Sequence, residues 1–235
     1  MDKKSGFFTA LAGLFVGLGL VIAGFFVYRA AEVFKERDRV LSVKGLAERR
    51  VKADIAIFPV TIEVSDNDFK VLNQKLKNSL DISLKFLKNY GFSKDEISFS
   101  PPQIVDKLAN AYNSSVKIRY TADVTLTIYT DKIDKILSLQ KDLFKLSEEG
   151  VLARVEKYDI QYLFTNLNKI KPSMIEEATK NAKKAALKFA KDSKSVLGKV
   201  KRASQGYFSI NDRDKNTPYI KVVRVVTRMD YYLGD

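Results

Sequence analysis

RVLSVKGLAERRVKADIAIFPVTIEV (Arg39–Val64) reads as two β-strands joined by a turn near Glu48–Lys52. In the second strand Ile55 and Ile57 alternate with Ala56 and Phe58, and a β-branched run continues through Val60, Ile62 and Val64. A period of two marks a strand, and apolar residues on both phases predict burial on both faces. Pro59 has no N–H to give to a ladder, so it predicts an edge position or a bulge.

Downstream, Ser65 or Asp66 is placed to cap a helix from about Asp68 to Tyr90. Leu72, Leu76, Leu80, Leu84 and Leu87 recur along it at helical spacing, and Gly91 supplies the left-handed stop. Strands are expected at Glu96–Ser100, Gln103–Ala111 and Val116–Tyr129, punctuated by Pro101–Pro102 and Asn113–Ser115. In the third of these, Ile118, Tyr120, Ala122, Val124, Leu126 and Ile128 share a face. A second helix runs from Thr130 or Asp131 to about Ser147, with Ile133, Ile136, Leu137, Leu143 and Phe144 inward, and Gly150 ends that unit. Arg154–Thr165 is the next strand. The third helix carries Pro172 in its first turn, where proline is tolerated, and reaches about Ser195. Its Ala178, Ala182, Ala185, Ala186 and Phe189 form a narrow face suited to lying close on a sheet. Strands Lys199–Ile210 and Tyr219–Leu233 close the series. The order ββα-βββ-αβ-αββ predicts an α+β body of mainly antiparallel sheets with about three packed helices over 40–235, in two sheet-plus-helix halves meeting near residue 130.

Upstream, residues Gly6 to Tyr28 carry no charge, with Lys3 and Lys4 before them and Arg29 after. A helix of that length spans roughly 34 Å, slightly more than a hydrocarbon core of about 30 Å. Phe7, Phe8, Phe25, Phe26 and Tyr28 sit near its ends, as interfacial aromatics do. A cleaved secretory signal is one competing reading, but its apolar region is usually shorter and no small-x-small site follows. A buried core helix is another, but few water-soluble helices are apolar all the way round. The reading adopted is an N-terminal transmembrane anchor over 1–31 (span about 6–28), then a charged stalk over 32–39. Arg29, Lys35, Arg37 and Arg39 outnumber Lys3 and Lys4, but Glu32, Glu36 and Asp38 interleave with them. A short basic tail before one span is the signal-anchor layout, which places the body outside the cytoplasm. Gly13 and Gly17 form a G-x-x-x-G pair, a candidate contact between membrane helices.

The 235 residues contain no cysteine and no histidine, which removes disulfides, thiol nucleophiles, Cys/His zinc sites and imidazole bases. Net charge is +13, and residues 166–202 hold eleven Lys or Arg against three acids, a local +8. Lys180, Lys184 and Lys188 form a stripe opposite the alanines of the third helix. A solvated helix face is its ordinary meaning, and an anionic-partner site its functional one. The stripe lacks interleaved aromatics for stacking bases, and export disfavours nucleic acid as a partner. Asp95/Glu96, Glu148/Glu149 and Glu176/Glu177 are adjacent acids at turns or helix ends, where solvation and the helix dipole suffice to explain them. No catalytic, nucleotide or metal-binding motif stands in the chain, and no catalytic residue, cofactor or metal is expected.

VKGLAERRVKADIAIFPVTIEV (Val43–Val64), NYGFSKDEISFSPPQIVD (Asn89–Asp106), RYTADVTLTIYT (Arg119–Thr130), the block from Phe164 to Ile210 and PYIKVVRVVTRMDYYL (Pro218–Leu233) resemble SIMPL-domain proteins. The likeness spans roughly Val40 to Leu233, with G-F-x-x-x-E-I after the first helix and G-K-V-x-x-A after the third. It implies an α+β domain, usually exported to the bacterial periplasm, with no accepted active-site motif. At least one periplasmic antigen of that family assembles into a hollow ring, and the family is linked to envelope and oxidative-stress phenotypes. Secreted members lack the long apolar span seen here. The expectation is a non-enzymatic, self-associating structural or scaffold subunit, single-pass in the bacterial inner membrane through residues 6–28, with its body in the periplasm. The alternative is a binding module whose basic helix recognises an anionic envelope ligand or partner.

Overall fold

The computed structural model describes residues 13–29, 39–109 and 116–234. The expected stalk at 32–38, residues 6–12 of the expected span, the end of the strand drawn to Ala111 and the Asn113–Ser115 turn lie outside the described residues. Residues 13–29 form the first helix, α1, and every residue of it is exposed. Among the described residues no helix is long and apolar enough to cross a membrane.

Beyond α1 the elements are β1 (Val40–Lys52), β2 (Ile55–Asp66), α2 (Phe69–Asn89), β3 (Ile97–Phe99), β4 (Gln103–Asp106), β5 (Tyr120–Thr130), α3 (Ile133–Asp142), α4 (Lys145–Glu148), β6 (Leu152–Arg154), β7 (Gln161–Leu163), α5 (Leu167–Asp192), β8 (Val196–Gln205), β9 (Ser209–Asp212) and β10 (Ile220–Gly234). A single 3₁₀ turn, Lys94–Glu96, precedes β3. The fold is mixed α+β. One sheet has the order β1-β10-β8, with β9 on β10, and the other has β3-β5-β2-β6, with β4 on β5 and β7 on β2. Every pair in the second sheet is antiparallel, as is β10 with β8.

The chain forms two compact units that do not divide near residue 130. Among the described residues, one gathers those within 1–48, 171–209 and 224–235, and the other those within 49–170 and 210–223. The first unit is organised by α5. Met174, Ala178, Ala182, Ala186 and Ala190 recur at steps of four and are all buried, while Ala185 is half-buried and Phe189 is exposed. The inward face is therefore the strict i+4 line, narrower than the expected one. Val43, Met229 and Tyr231 pack with Ala182 and Ala186. Gly45 of β1 lies so close to the helix backbone that an added Cβ would stand 1.9 Å from the Ala178 carbonyl oxygen. Asn181 Nδ2 donates to Leu46 O at 2.8 Å beside this contact.

In the second unit β2 and β5 pair over eleven positions, with Phe58 opposite Ile128, Val60 opposite Leu126 and Ile62 opposite Val124. Phe58, Val60, Ile62, Leu126 and Ile128 are buried with Leu87 of α2, Ile133, Ile136 and Leu139 of α3 and Leu146 of α4, while Val124 packs with Leu72 and Leu76 of α2. Only the even-numbered face of β2 is buried, and Ile55, Ile57 and Pro59 are half-covered, not the burial on both faces expected. Pro59 is no edge residue either. It sits in a central strand, opposite the gap between β7, which pairs with Ile55–Ile57, and β6, which pairs with Thr61–Glu63. A residue without an N–H is tolerated where no second neighbour needs one.

Several boundaries differ from expectation for local reasons. β1 runs through Lys52, and the break falls at Ala53–Asp54. Asp68, not Ser65 or Asp66, caps α2, its carboxylate accepting from Lys70 N and Val71 N at 2.7 and 3.1 Å. The helix expected to reach Ser147 is broken at Leu143–Phe144 into α3 and α4, leaving Phe144 exposed and Leu146 buried. The strand drawn over Arg154–Thr165 is two short ones, β6 and β7. That drawn over Lys199–Ile210 divides at 206–208 into β8 and β9. Pro172 lies inside α5, not in its first turn, because the helix begins at Leu167. Gly91 and Gly150 do take positive φ, at 94° and 79°.

Candidate functional site

Three polar or cavity-lining constellations in the second unit could bear function. The first is an open cleft of about 390 Å³ walled by Phe58, Leu143, Ile160, Tyr162 and Tyr219, with Lys157 and Lys215 among its lining residues. The Tyr162 hydroxyl is buried and has no hydrogen-bond partner among the described residues. Burial, with the Tyr219 phenol nearby, pushes its pKa up to about 12, so it stays a neutral donor at ordinary pH. The two rings meet edge-on at 6.0 Å. Among the described residues no Asp, Glu, Ser or Thr lines the cleft, which offers neither a carboxylate base nor a hydroxyl nucleophile beyond the phenols there. Its chemistry is that of an apolar recess flanked by ammonium groups.

The second is Asp54, at the junction of β1 and β2. Its carboxylate accepts from Thr165 N (2.8 Å), Thr165 Oγ1 (3.1 Å), Asn166 N (2.8 Å) and Asn166 Nδ2 (2.6 Å). Burial alone would raise this carboxyl, but the four donors outweigh it and hold the pKa below the usual range. Asp54 N donates in turn to Leu163 O, and Ala53 N to Tyr219 O, both at 2.8 Å. This is a structural clasp.

The third is Glu96, which accepts from Ser93 N (2.8 Å), Ser93 Oγ (3.1 Å), Thr130 Oγ1 (2.5 Å) and Lys132 Nζ (2.7 Å). Burial pushes its carboxyl up, yet the bonds from Lys132, Ser93 and Thr130 prevail and bring the pKa from 4.5 to about 2. A depressed carboxyl contributes stability that is present above its unfolded value and lost as pH falls towards the folded one. Glu96→Gln should therefore cost about 1–2 kcal/mol at pH 7, allowing for partial solvent screening. The gap to wild type should narrow between pH 4.5 and 2, read from thermal melts across that range. An equal gap at pH 7 and pH 3 would mean that the carboxylate charge contributes nothing.

Among these groups Asp54, Tyr162 and Gly45 carried no sequence signal, and Glu96 stood out only as one of an adjacent acidic pair. The residues singled out from the sequence are not brought together. Gly13 and Gly17 lie on α1, where an added Cβ would meet nothing within 4 Å. Lys180, Lys184 and Lys188 are all exposed on α5. Lys180 Nζ is 2.5 Å from Glu176 Oε1 and Lys188 Nζ is 2.9 Å from Asp192 Oδ1, both one turn away. Two of the three lysines are thus neutralised on their own helix, which weakens the basic-stripe reading in favour of a solvated face. Among the described residues no group of three or more Asp and Glu is arranged to hold a metal ion.

No curated protein matches the chain in sequence. A family model does match, described as SIMPL, a protein of unknown function (DUF541), over residues 41–229. That stretch holds the second sheet, most of the first, α2 to α5 and all three constellations, and the chain therefore belongs to the SIMPL family.

Proposed function

We propose that the chain is a membrane-tethered, non-enzymatic scaffold protein whose body stands in the periplasm and self-associates. The observation that carries this reading is α1. Residues 13–28 hold no charge, and large apolar side chains are exposed on every side, from Ile22 at 49% to Val21 at 73%. Left in water, a surface of that size would be costly at about 25 cal/mol per Å². The uncharged sequence continues upstream to Gly6, which supplies the length a bilayer span needs. Self-association is supported by the first sheet, whose order ends on two long strands, β1 and β8. Terminal strands offer backbone groups to another chain, and Val196 and Val200 of β8 are exposed.

Full-length protein should remain in the membrane pellet through alkaline carbonate washing, and a chain whose residues 1–31 are replaced by a cleavable secretory signal should appear in the soluble periplasmic fraction. Purified in detergent, the full-length protein should run as a multimer by size-exclusion chromatography with light scattering. Release by carbonate would remove the tether from the reading. A monomer at every concentration would remove the scaffold.

A further inference from the structure

A second, larger recess in the second unit has a different character from the tyrosine-lined cleft. It is a groove of about 700 Å³ bordered by the last turns of α2 and by β3. Leu84, Phe92, Ile97 and Phe99 give it an apolar lining, and Lys85, Lys88 and Lys94 are the charged residues along it. No carboxylate lines it, and none of the three lysines is ion-paired among the described residues. The volume falls within the roughly 300–1,000 Å³ of small-molecule sites. Phe99, at 67% exposed, is a large apolar side chain left in water at the end of a sheet.

The walls are held in place before any ligand arrives. Phe92 is buried and stacks on Tyr90 at 6.4 Å with an interplanar angle of 6°. Tyr90 Oη is fixed by a 2.5 Å bond to Asp142 Oδ2. The turn into β3 is fastened by the donors that converge on Glu96. A preorganised apolar site spends little on ordering itself when it binds.

Strand addition along β3 is poorly served here. Ser100 N donates to Thr125 O at 3.0 Å, so alternation turns Ser98 towards β5 and leaves only Ile97 and Phe99 facing the open edge. Pro101–Pro102, which have no N–H, then end the line. An acyl chain needs no main-chain partner. It needs an apolar trough, and its head group needs cations without counter-ions.

We propose that this groove binds a free long-chain carboxylate, its tail against Leu84, Phe92, Ile97 and Phe99 and its head among Lys85, Lys88 and Lys94. The proposal does not depend on the scaffold reading and can fail or hold without it. The test is photo-labelling of the full-length chain in non-ionic detergent with a diazirine-bearing hexadecanoate, mapped by mass spectrometry. The matching diazirine alkyltrimethylammonium serves as the charge-reversed probe. Labelling of residues 84–99 should favour the carboxylate by at least about tenfold, whereas α1, exposed to either tail, should label with both. In competition, unlabelled carboxylates should gain about fourfold per added methylene until the trough is filled. Lys85→Glu, Lys88→Glu and Lys94→Glu together should cut groove labelling at least about tenfold, with α1 labelling and the melting temperature unchanged. Phe99→Asp, an exposed position, should lower it independently. Equal labelling by both probes, or labelling that survives the triple variant, would overturn the proposal. Displacement of the probe by an alternating Glu/Val peptide at lower concentration than by hexadecanoate would reassign the groove to strand addition.

Discussion

Replacing Gly45 with alanine should dismantle the first unit. A single added methyl would lie 1.9 Å from the Ala178 carbonyl oxygen, 2.4 Å from Ala182 N and 2.9 Å from Ala182 Cα. These are helix backbone atoms, so no side chain can swing aside, and α5 must lift from β1. Lifting it uncovers Ala182 and Ala186 and loosens their packing with Val43, Met229 and Tyr231. It also breaks the bond from Asn181 to Leu46 O. Overpacking usually costs about 1–3 kcal/mol, but clash with a rigid backbone belongs at the upper end of mutational effects, about 3–5 kcal/mol here. For a chain of this size the melting temperature should fall by about 10 °C. Native-state trypsin should begin to cut at Lys180, Lys183, Lys184 and Lys188. Gly24→Ala, where an added Cβ meets nothing within 4 Å, is the matched control and should melt like wild type. An intact Gly45→Ala protein with wild-type protease resistance would mean that β1 and α5 are not in close apposition.

Asp54→Ala should cost about 2–4 kcal/mol, because one truncation strands four donors at once. Thr165 N and Asn166 N would lose their acceptor just before α5 begins at Leu167. The capping-type bonds of a helix start are worth about 1 kcal/mol each, and the two side-chain bonds add to them. Asp54→Asn keeps an acceptor oxygen and should recover about half the loss. The pKa of Asp54 is lowered, so its contribution is complete above the ordinary carboxyl value of 3.8 and disappears as pH falls below it. The wild-type and Asp54→Ala melting temperatures should therefore converge in acid. Parallel curves down to pH 2 would show that burial of the residue, not its charge, sets the effect.

Much of this architecture can be read from the residues themselves. The even-numbered apolar positions of β2 and β5, from Ala56 to Ile62 and from Ala122 to Ile128, mark strands by period alone, and they are buried where the period places them. The leucines of α2 and the alanines of α5 likewise announce inward faces. What escapes is set by contacts distant in sequence. The buried line of α2 passes through Ser79 and Ser83 where leucine spacing predicts Leu80 and Leu84, which are half-buried, because Ser83 Oγ satisfies itself on Ser79 O at 2.7 Å. The start of α5 depends on Asp54, more than a hundred residues earlier. The meaning of Gly45 depends on Ala178, and nothing in VKGLAE distinguishes that glycine from one in a turn. The cleft around Tyr162 is assembled from residues between Phe58 and Tyr219, and no single stretch of chain spells it out, whereas the groove around Phe99 lies within residues 84–99 and its shape depends on how that stretch turns from α2 into β3.

The interleaving of segments in the first unit has a consequence for biogenesis. Its sheet is ordered β1-β10-β8, so the strand that joins the other two is the last to be made. A nascent polypeptide halted between Gln205 and Ile220 has β1, α5 and β8 in hand but lacks the strand between β1 and β8. The ribosome must make nearly the whole polypeptide before this sheet can close. Closure of this sheet only after synthesis of the last strand is then built into the order of the strands.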